Sequence, residues 1–245
     1  WLALSLQLMR RLKQSPTELA TFADEHWAYS AVQSQYADIL IAAKDYPAAI
    51  KALNASVKLE RNWPKGIKAQ RRRLATIYQT LQQPDKYRHQ LHLMLTGAGV
   101  DMTIIAELKA SCTAEQWQQE REKLFHALSN SFDVDQFYFS EQRYDLLTQY
   151  VLKATGLDVA EKYLAVLKQD HGQELLPKYT KFIRERSATA SNREQYQNLA
   201  TYLHSMATMP NSAAPAQSLR AELLAKYPRR YTMREEFNRV VLSEE

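Results

Sequence analysis

Two histidines three residues apart, His89 and His92, are the first residues whose types and spacing suggest chemistry. On a helix this spacing places both imidazoles on one face, where they could share a metal ion. A zinc site needs two further ligands, and the sequence offers neither additional thiolates nor a nearby pair of carboxylates. We therefore assign no metal ligand and interpret the two histidines as part of a helix surface.

Acidic pairs and one cysteine are the next candidates for chemistry. Asp133 with Asp135 and Glu235 with Glu236 lie at predicted helix starts, where the helix dipole favours carboxylates. Cys112 also precedes a helix start, a position that can lower the pKa of a thiol. No nucleophile, base and orienting group occur together. The sequence thus predicts no catalytic and no cofactor-binding residue, and a protein that is not an enzyme.

Two groups of basic residues are the candidates for a binding surface. One follows Trp63 on a predicted helix, and the other combines arginines with aromatic side chains near the C-terminus. Such cations neutralise phosphates in nucleic-acid complexes or pair with acids of neighbouring helices. The candidates are Lys65, Lys68, Arg71, Arg72, Arg229, Arg230 and Arg234. The net charge of +5 is compatible with nucleic acid but does not imply it, because 27 acidic residues balance most of the 32 basic ones.

The elements that carry these residues are predicted to be helices throughout. The 245 residues include only 5 glycines, and good helix formers fill the chain. Residues 36–95 read as two helix–turn–helix units, with turns at residues 44–47 and 83–85. Capping boxes are predicted to begin helices after Ser15, Thr113 and Ser191.

The second half of the chain has less regular breaks. One helix is predicted over residues 133–154. Two more, over residues 157–170 and 173–186, are predicted to be separated by a break at Gly172, with Pro177 in the first turn of the second.

Repeated helix pairs indicate an array. Ala49, Tyr87 and Ala160 follow their turns at equivalent places, at intervals of about one and two units of the roughly 34–45 residues typical of helical repeats. We predict an all-α, right-handed superhelical array of antiparallel helix pairs, a tetratricopeptide-like solenoid of about twelve helices, forming one domain over residues 1–245. Such arrays present an extended surface to a protein or peptide partner.

The expected cellular location rests on the absence of a transmembrane run and on the low cysteine content. No run of about 18 apolar residues predicts a transmembrane helix. A single cysteine favours a reducing compartment, so we expect a cytoplasmic protein. The first residue is Trp1 rather than Met, and we expect the chain to be a C-terminal part of a longer protein. The oligomeric state does not follow from the sequence.

Several segments resemble the C-terminal helical region of bacterial SWIM zinc finger proteins. They include a helix with Trp117, Glu120 and Leu124 and an arginine-rich segment near the C-terminus, and the resemblance covers about residues 30–242. The segments are residues 45–50, 74–78, 115–124, 175–179, 219–222, 227–230 and 233–237.

The resemblance implies an interaction scaffold. In the family, a Cys-x-Cys and Cys-x-His zinc finger precedes such helices, and this sequence has no counterpart of it. Zinc is therefore implied only for a region upstream of this chain. The resemblance also implies contacts with protein or DNA, and bacterial members accompany Swi/Snf-type helicases. The alternative function is accordingly a nucleic-acid-binding module that uses the basic helix faces.

Overall fold

The computed structural model describes residues 1–242, and these residues contain fourteen α-helices and no strand. The predicted all-helical class is confirmed, and the helices outnumber the predicted twelve. The described chain divides into two compact units, Trp1–Phe137 and Tyr138–Glu245, whose boundary falls within one helix. None of the helices in residues 1–242 has the length and apolar character needed to cross a membrane.

The first unit contains eight whole helices and the start of a ninth. Most of them pack against a neighbour in sequence, whereas the first packs more on the third than on the second. Four of them carry proline in their first two positions, where its missing N–H is not needed and its fixed φ suits the helix. The helices are α1 (Leu2–Arg11), α2 (Pro16–Glu25), α3 (Ser30–Ala42), α4 (Tyr46–Leu59), α5 (Pro64–Thr80), α6 (Pro84–Ala98), α7 (Met102–Ala110), α8 (Ala114–Ala127) and α9 (Val134–Ser140).

The two helix–turn–helix units predicted over residues 36–95 are confirmed. The pairs α3–α4 and α5–α6 pack closely, and their facing side chains form one apolar cluster with almost no exposure. The buried members are Ala37, Leu40, Ala49, Ala52, Leu53, Leu74, Ile77 and Tyr78. Small alanines opposite leucines allow the helices to approach and to pack at the density of a protein interior.

The second unit contains five helices. Within this unit the fourth helix packs on the third, and the fifth helix packs against both of them. The helices are α10 (Tyr144–Lys153), α11 (Asp158–Thr189), α12 (Arg193–Ala207), α13 (Ala213–Lys226) and α14 (Tyr231–Arg239).

The prediction of one helix over residues 133–154 is wrong, because the chain turns at Gln142, between α9 and α10. This residue has φ 56°, and Arg143 N donates to Tyr138 O at 2.9 Å. A backbone N–H bonded to the carbonyl five residues back, around a left-handed residue, is the Schellman motif, which ends helices. Glycine usually takes the left-handed position, and its absence here explains why the turn is not evident from the sequence.

The same turn closes the two confirmed hairpins. Lys44 has φ 62° and Gln82 has φ 52°. The next residue in each turn donates its backbone N–H to the carbonyl five residues back. Asp45 N donates to Leu40 O and Gln83 N donates to Tyr78 O, each at 2.9 Å. A recurrent backbone turn thus joins the paired helices without a glycine.

Replacing Gln82 by glycine is expected to stabilise the first unit by about 0.5–1 kcal/mol, because the left-handed conformation costs an L-residue energy that glycine does not pay. Urea unfolding of the Gln82→Gly variant measures this gain. The matched control is Gln79→Gly, at an exposed position inside α5, which is expected to lose about 1 kcal/mol. If Gln82→Gly and Gln79→Gly lost the same free energy of unfolding, the left-handed conformation of Gln82 would not cost stability as expected.

The predicted break at Gly172 takes an unexpected form. The helical conformation runs through all 32 residues of α11, so the two separate helices of the prediction are one. Yet Tyr179 Oη donates to Glu161 Oε1 at 2.8 Å, across 18 residues of the same helix. A straight helix would separate these residues by about 27 Å, far beyond the reach of the two side chains. The axis of α11 must therefore bend sharply between them.

Other contacts agree with this bend. Lys178 Nζ donates to Ala154 O, and a Cβ placed on Gly156 would lie 3.9 Å from the Phe182 ring. Pro177 lies inside the helix rather than in the first turn of a second one. Proline removes a helical hydrogen bond and crowds the preceding turn, which is a common cause of a kink.

Side-chain caps begin several helices as predicted, with one shift. Ser15 forms a capping box with Glu18, and Thr113 forms one with Gln116. At α12 the cap is Asn192, which accepts from Gln195 N, rather than the predicted Ser191. The cap is displaced by one residue because Asn192 itself accepts well at this position.

Candidate functional site

The basic residues of α5 are tied to acids on neighbouring helices. Lys68 Nζ lies 2.7 Å from Asp101 Oδ2, and Arg72 lies 2.6 Å from Glu107. Asp101 also caps α7 by accepting from two backbone N–H groups. These contacts join α5 to α7, so the stripe predicted as a binding surface connects two helices of the first unit.

The remaining cations of this stripe differ in exposure. Arg71 is half-buried, donates to Gln90 Oε1 at 3.3 Å, and has a pKa lowered by desolvation. Arg73 pairs with Asp38 at 2.5 Å. Lys65 is exposed at the start of α5. Of the first candidate group, Lys65 alone projects into solvent without a hydrogen bond or ion pair among the described residues.

A tyrosine completes the α5–α7 contact. Tyr87 Oη donates to Glu107 Oε1 at 2.5 Å. Desolvation, together with the hydrogen bond to Glu107, raises the pKa of Tyr87 to about 12. Burial acts to raise the pKa of Glu107, but hydrogen bonds from Arg72 and Tyr87 hold it below its usual value. The three groups therefore favour a neutral phenol beside an ionised carboxylate.

This arrangement predicts an alkaline loss of stability. The folded state raises the pKa of Tyr87 above its ordinary value near 10, so the stabilisation is present below about pH 10 and is lost as the pH rises towards about 12. Urea unfolding below about pH 10 and above about pH 12 measures this loss. Between the two, the free energy of unfolding is expected to fall less for Tyr87→Phe than for the wild type. Tyr29→Phe, which alters an exposed tyrosine, should behave as the wild type.

Arg230 is a structural residue of the second unit. Its guanidinium donates to the carbonyl oxygens of Ser187, Ala188 and Ala190 at 2.5, 3.1 and 3.1 Å. These belong to the last turn and C-cap of α11, whose carbonyls have no partner within the helix. The guanidinium also lies over the Tyr227 ring, 4.3 Å from its centre.

The other two arginines of this group, Arg229 and Arg234, are exposed. The acidic pair beside them is engaged elsewhere: Arg193 contacts Glu235 at 2.8 Å and Glu236 at 2.7 Å. Glu236 is only 5% exposed and also accepts from Arg239. The two groups of basic candidates thus lie in different units, and each contains residues that hold helices together.

The histidine pair lies in an open groove between α6 and α8. His92 Nδ1 contacts Glu120, which also pairs with Lys123 at 3.4 Å. Cys112 lines the same groove, and desolvation raises the pKa of its thiol, opposite to the decrease that its position before α8 suggested. Within residues 1–242, no three His, Cys, Asp or Glu side chains form a group that could hold a metal ion.

A second groove, between α11 and α12, has no counterpart among the sequence predictions. One wall carries Phe182 and Arg186, one turn apart on α11, and the other carries Asn198 and Tyr202, one turn apart on α12. Leu199 is buried at its floor. The volume is about 230 Å³, less than the roughly 300–1,000 Å³ of small-molecule sites, and suits one or two side chains of a peptide.

The polar groups of this groove are available to a ligand. Phe182 and Tyr202 form an edge-to-face pair with ring centres 5.6 Å apart, and the Arg186 guanidinium lies 5.7 Å from the Phe182 ring. In the part of the chain that the structure describes, Arg186 makes no ion pair and Tyr202 Oη no hydrogen bond. Desolvation, followed by the charges of Asp158 and Glu161, raises the pKa of Tyr202, so its hydroxyl is a donor at neutral pH.

A polar contact also joins the two helices that form this groove. Glu161 accepts from Tyr179 Oη and from Ser205 Oγ, each at 2.8 Å, and so joins both arms of α11 to α12. Burial, with the charge of Glu161, raises the pKa of Tyr179. The groove walls are thus held by hydrogen bonds between residues far apart in sequence, which no local pattern reveals.

Comparisons of this chain with family models, with curated proteins and with solved structures find no match.

Proposed function

We propose that this chain is a non-enzymatic interaction scaffold that binds a segment of a partner protein in the groove between α11 and α12. The observation that carries the proposal is the combination of an unpaired Arg186, a free Tyr202 hydroxyl and the Phe182 ring in one groove. Pockets with a few convergent polar groups on an apolar base are typical binding sites.

The helix pairs support the scaffold part of the proposal. Adjacent antiparallel pairs are the building units of right-handed superhelical solenoids, whose surfaces bind peptides. We propose that the chain forms such an array and belongs to a SWIM-type zinc finger protein. The family assignment rests on the sequence motifs around Trp117 and residues 227–237. The cytoplasmic location is part of the same proposal.

The chemistry of the groove suggests what a partner segment must offer. Arg186, Tyr202 and Asn198 all carry donors, and a carboxylate could accept from an arginine bidentately. Phe182 and Leu199 provide apolar contact beside them. A peptide with an acidic residue next to an apolar one fits this set.

A peptide-display selection against the whole chain tests this function. Peptides pairing an acidic with an apolar residue are expected to be enriched, and Arg186→Ala should weaken the selected peptides at least tenfold, by about 1.4 kcal/mol or more. The matched control is Arg229→Ala, which removes an exposed arginine that does not line the groove. Equal binding by Arg186→Ala and wild type would overturn the assignment of this groove.

The alternative, nucleic-acid binding, is favoured by the exposed cations Lys65, Arg229 and Arg234. Against it, Lys68 and Arg72 are paired with carboxylates, and Arg230 is engaged with backbone carbonyls. Phosphate-driven binding is strongest at low salt, so a gel shift with single- and double-stranded DNA at about 50 mM salt separates the two functions. We expect no retardation, and retardation lost in Lys65→Ala would favour the alternative.

A further inference from the structure

Helix α1 has two apolar faces, and only one of them is packed. Leu6 is fully buried, and Leu2 and Met9 lie beside it against an apolar cluster of α2 and α3. On the other side Leu4 and Leu8 are exposed by 59% and 57%. A helix at the surface of a protein usually carries one apolar stripe, and a second one indicates a second contact.

The exposed side chains form a continuous stripe. Leu4, Leu8 and Leu12 follow one another at intervals of four residues, and Leu12 is 66% exposed. At 3.6 residues per turn this spacing keeps the three leucines within about 80° of the helix circumference over about 12 Å. Trp1, which is 99% exposed, extends the row by another turn. This geometry matches the apolar seam along which one helix packs on another.

The charges around the stripe are of one sign. Arg10 and Arg11 lie in the last turn of α1, Lys13 follows, and residues 1–13 contain no acid. All three are exposed, and none makes an ion pair within the described residues. Arg11 lies three residues after Leu8 and so borders the stripe. A second copy of α1 in parallel orientation would place these cations beside one another, which disfavours self-association in that orientation.

We propose that the α1 stripe, formed by Trp1, Leu4, Leu8 and Leu12, docks an amphipathic helix of a partner protein that has leucine-like residues on one face and acidic residues along its edges. The leucines of the partner pack between Leu4, Leu8 and Leu12, and its carboxylates pair with Arg11 and its neighbours. This surface lies in the first unit and is independent of the groove between α11 and α12, so either proposal can fail without the other.

A designed helix provides the probe. We would label a 21-residue peptide with leucines at helical spacing and glutamates at the flanking positions, and measure its fluorescence anisotropy against the whole chain. Binding is expected to weaken at least tenfold for Leu8→Glu and to stay unchanged for Leu59→Glu, which alters a leucine of α4 that is 47% exposed. Both substituted positions are on the surface, so both variants should fold, and circular dichroism checks this.

A peptide of the same apolar face with lysine flanks tests the charge argument. It is expected to bind at least tenfold more weakly than the glutamate peptide, because its cations face Arg10 and Arg11. Equal binding of the two peptides, absence of binding by the glutamate peptide, or equal binding by Leu8→Glu would overturn the proposal. Sedimentation showing a dimer that Leu8→Glu dissociates would also overturn it, by assigning the stripe to a second copy of the chain.

Discussion

Replacing Arg230 by alanine is expected to lower the free energy of unfolding of the second unit by about 2–3 kcal/mol, the range of hydrogen bonds to charged groups. The variant leaves the carbonyls of Ser187 and Ala188 without their side-chain donor at the end of α11, while Ala190 O keeps the hydrogen bond from Tyr196 Oη at 2.9 Å. It also removes the cation that lies over the Tyr227 ring. Urea unfolding followed by circular dichroism measures the loss.

The adjacent arginine is the control for this prediction. Arg229 is exposed, and Arg229→Ala should change stability by less than about 0.5 kcal/mol, as is usual for surface substitutions. Both variants remove one positive charge from neighbouring positions, so a difference between them reports the hydrogen bonds. Losses of equal size would show that Arg230 does not cap α11.

Introducing leucine at Gly172 is expected to destabilise the second unit by about 3 kcal/mol, the upper range for overpacking a well-packed site. A Cβ at this position would lie 3.0 Å from Met209 Cβ and 3.4 Å from Pro210 Cδ. Met209 is fully buried and cannot move aside into solvent. A leucine side chain at this position would therefore force α11 away from the turn that contains Met209 and Pro210.

Another helical glycine provides the comparison. A Cβ at Gly97, near the end of α6, would meet nothing within 4 Å. Gly97→Leu is therefore expected not to destabilise the first unit, and to gain up to about 1 kcal/mol from the higher helix propensity of leucine. If Gly172→Leu were equally well tolerated in thermal or urea unfolding, the close approach of Met209 would not constrain this position.

Features that depend on neighbouring residues could be predicted from the sequence. Ser15 with Glu18 and Thr113 with Gln116 cap their helices as expected, because each box is complete within four residues. The turn at Gln142 was missed, since its Schellman hydrogen bond is closed around a residue type that rarely adopts positive φ. The bend of α11 is evident from the contact between Glu161 and Tyr179, which are 18 residues apart and which no local pattern brings together.

The candidate site was less predictable for the same reason. The sequence shows that Lys68 and Arg72 are basic, but their partners Asp101 and Glu107 lie 33 and 35 residues away. The distance from Arg230 to Ser187 is 43 residues. Whether a cation faces solvent or an acid is decided by how the helices pack. The groove between α11 and α12 likewise exists only after that packing.

The bend of α11 also determines where the native chain can be cut. Proteases require several residues of extended backbone, which exposed loops provide and hydrogen-bonded helices do not. The chain changes direction between residues 161 and 179 while it stays helical, so this corner resists nicking. The irregular turn at residues 141–143 lacks that protection. Limited digestion should therefore leave both arms of α11 in a single fragment.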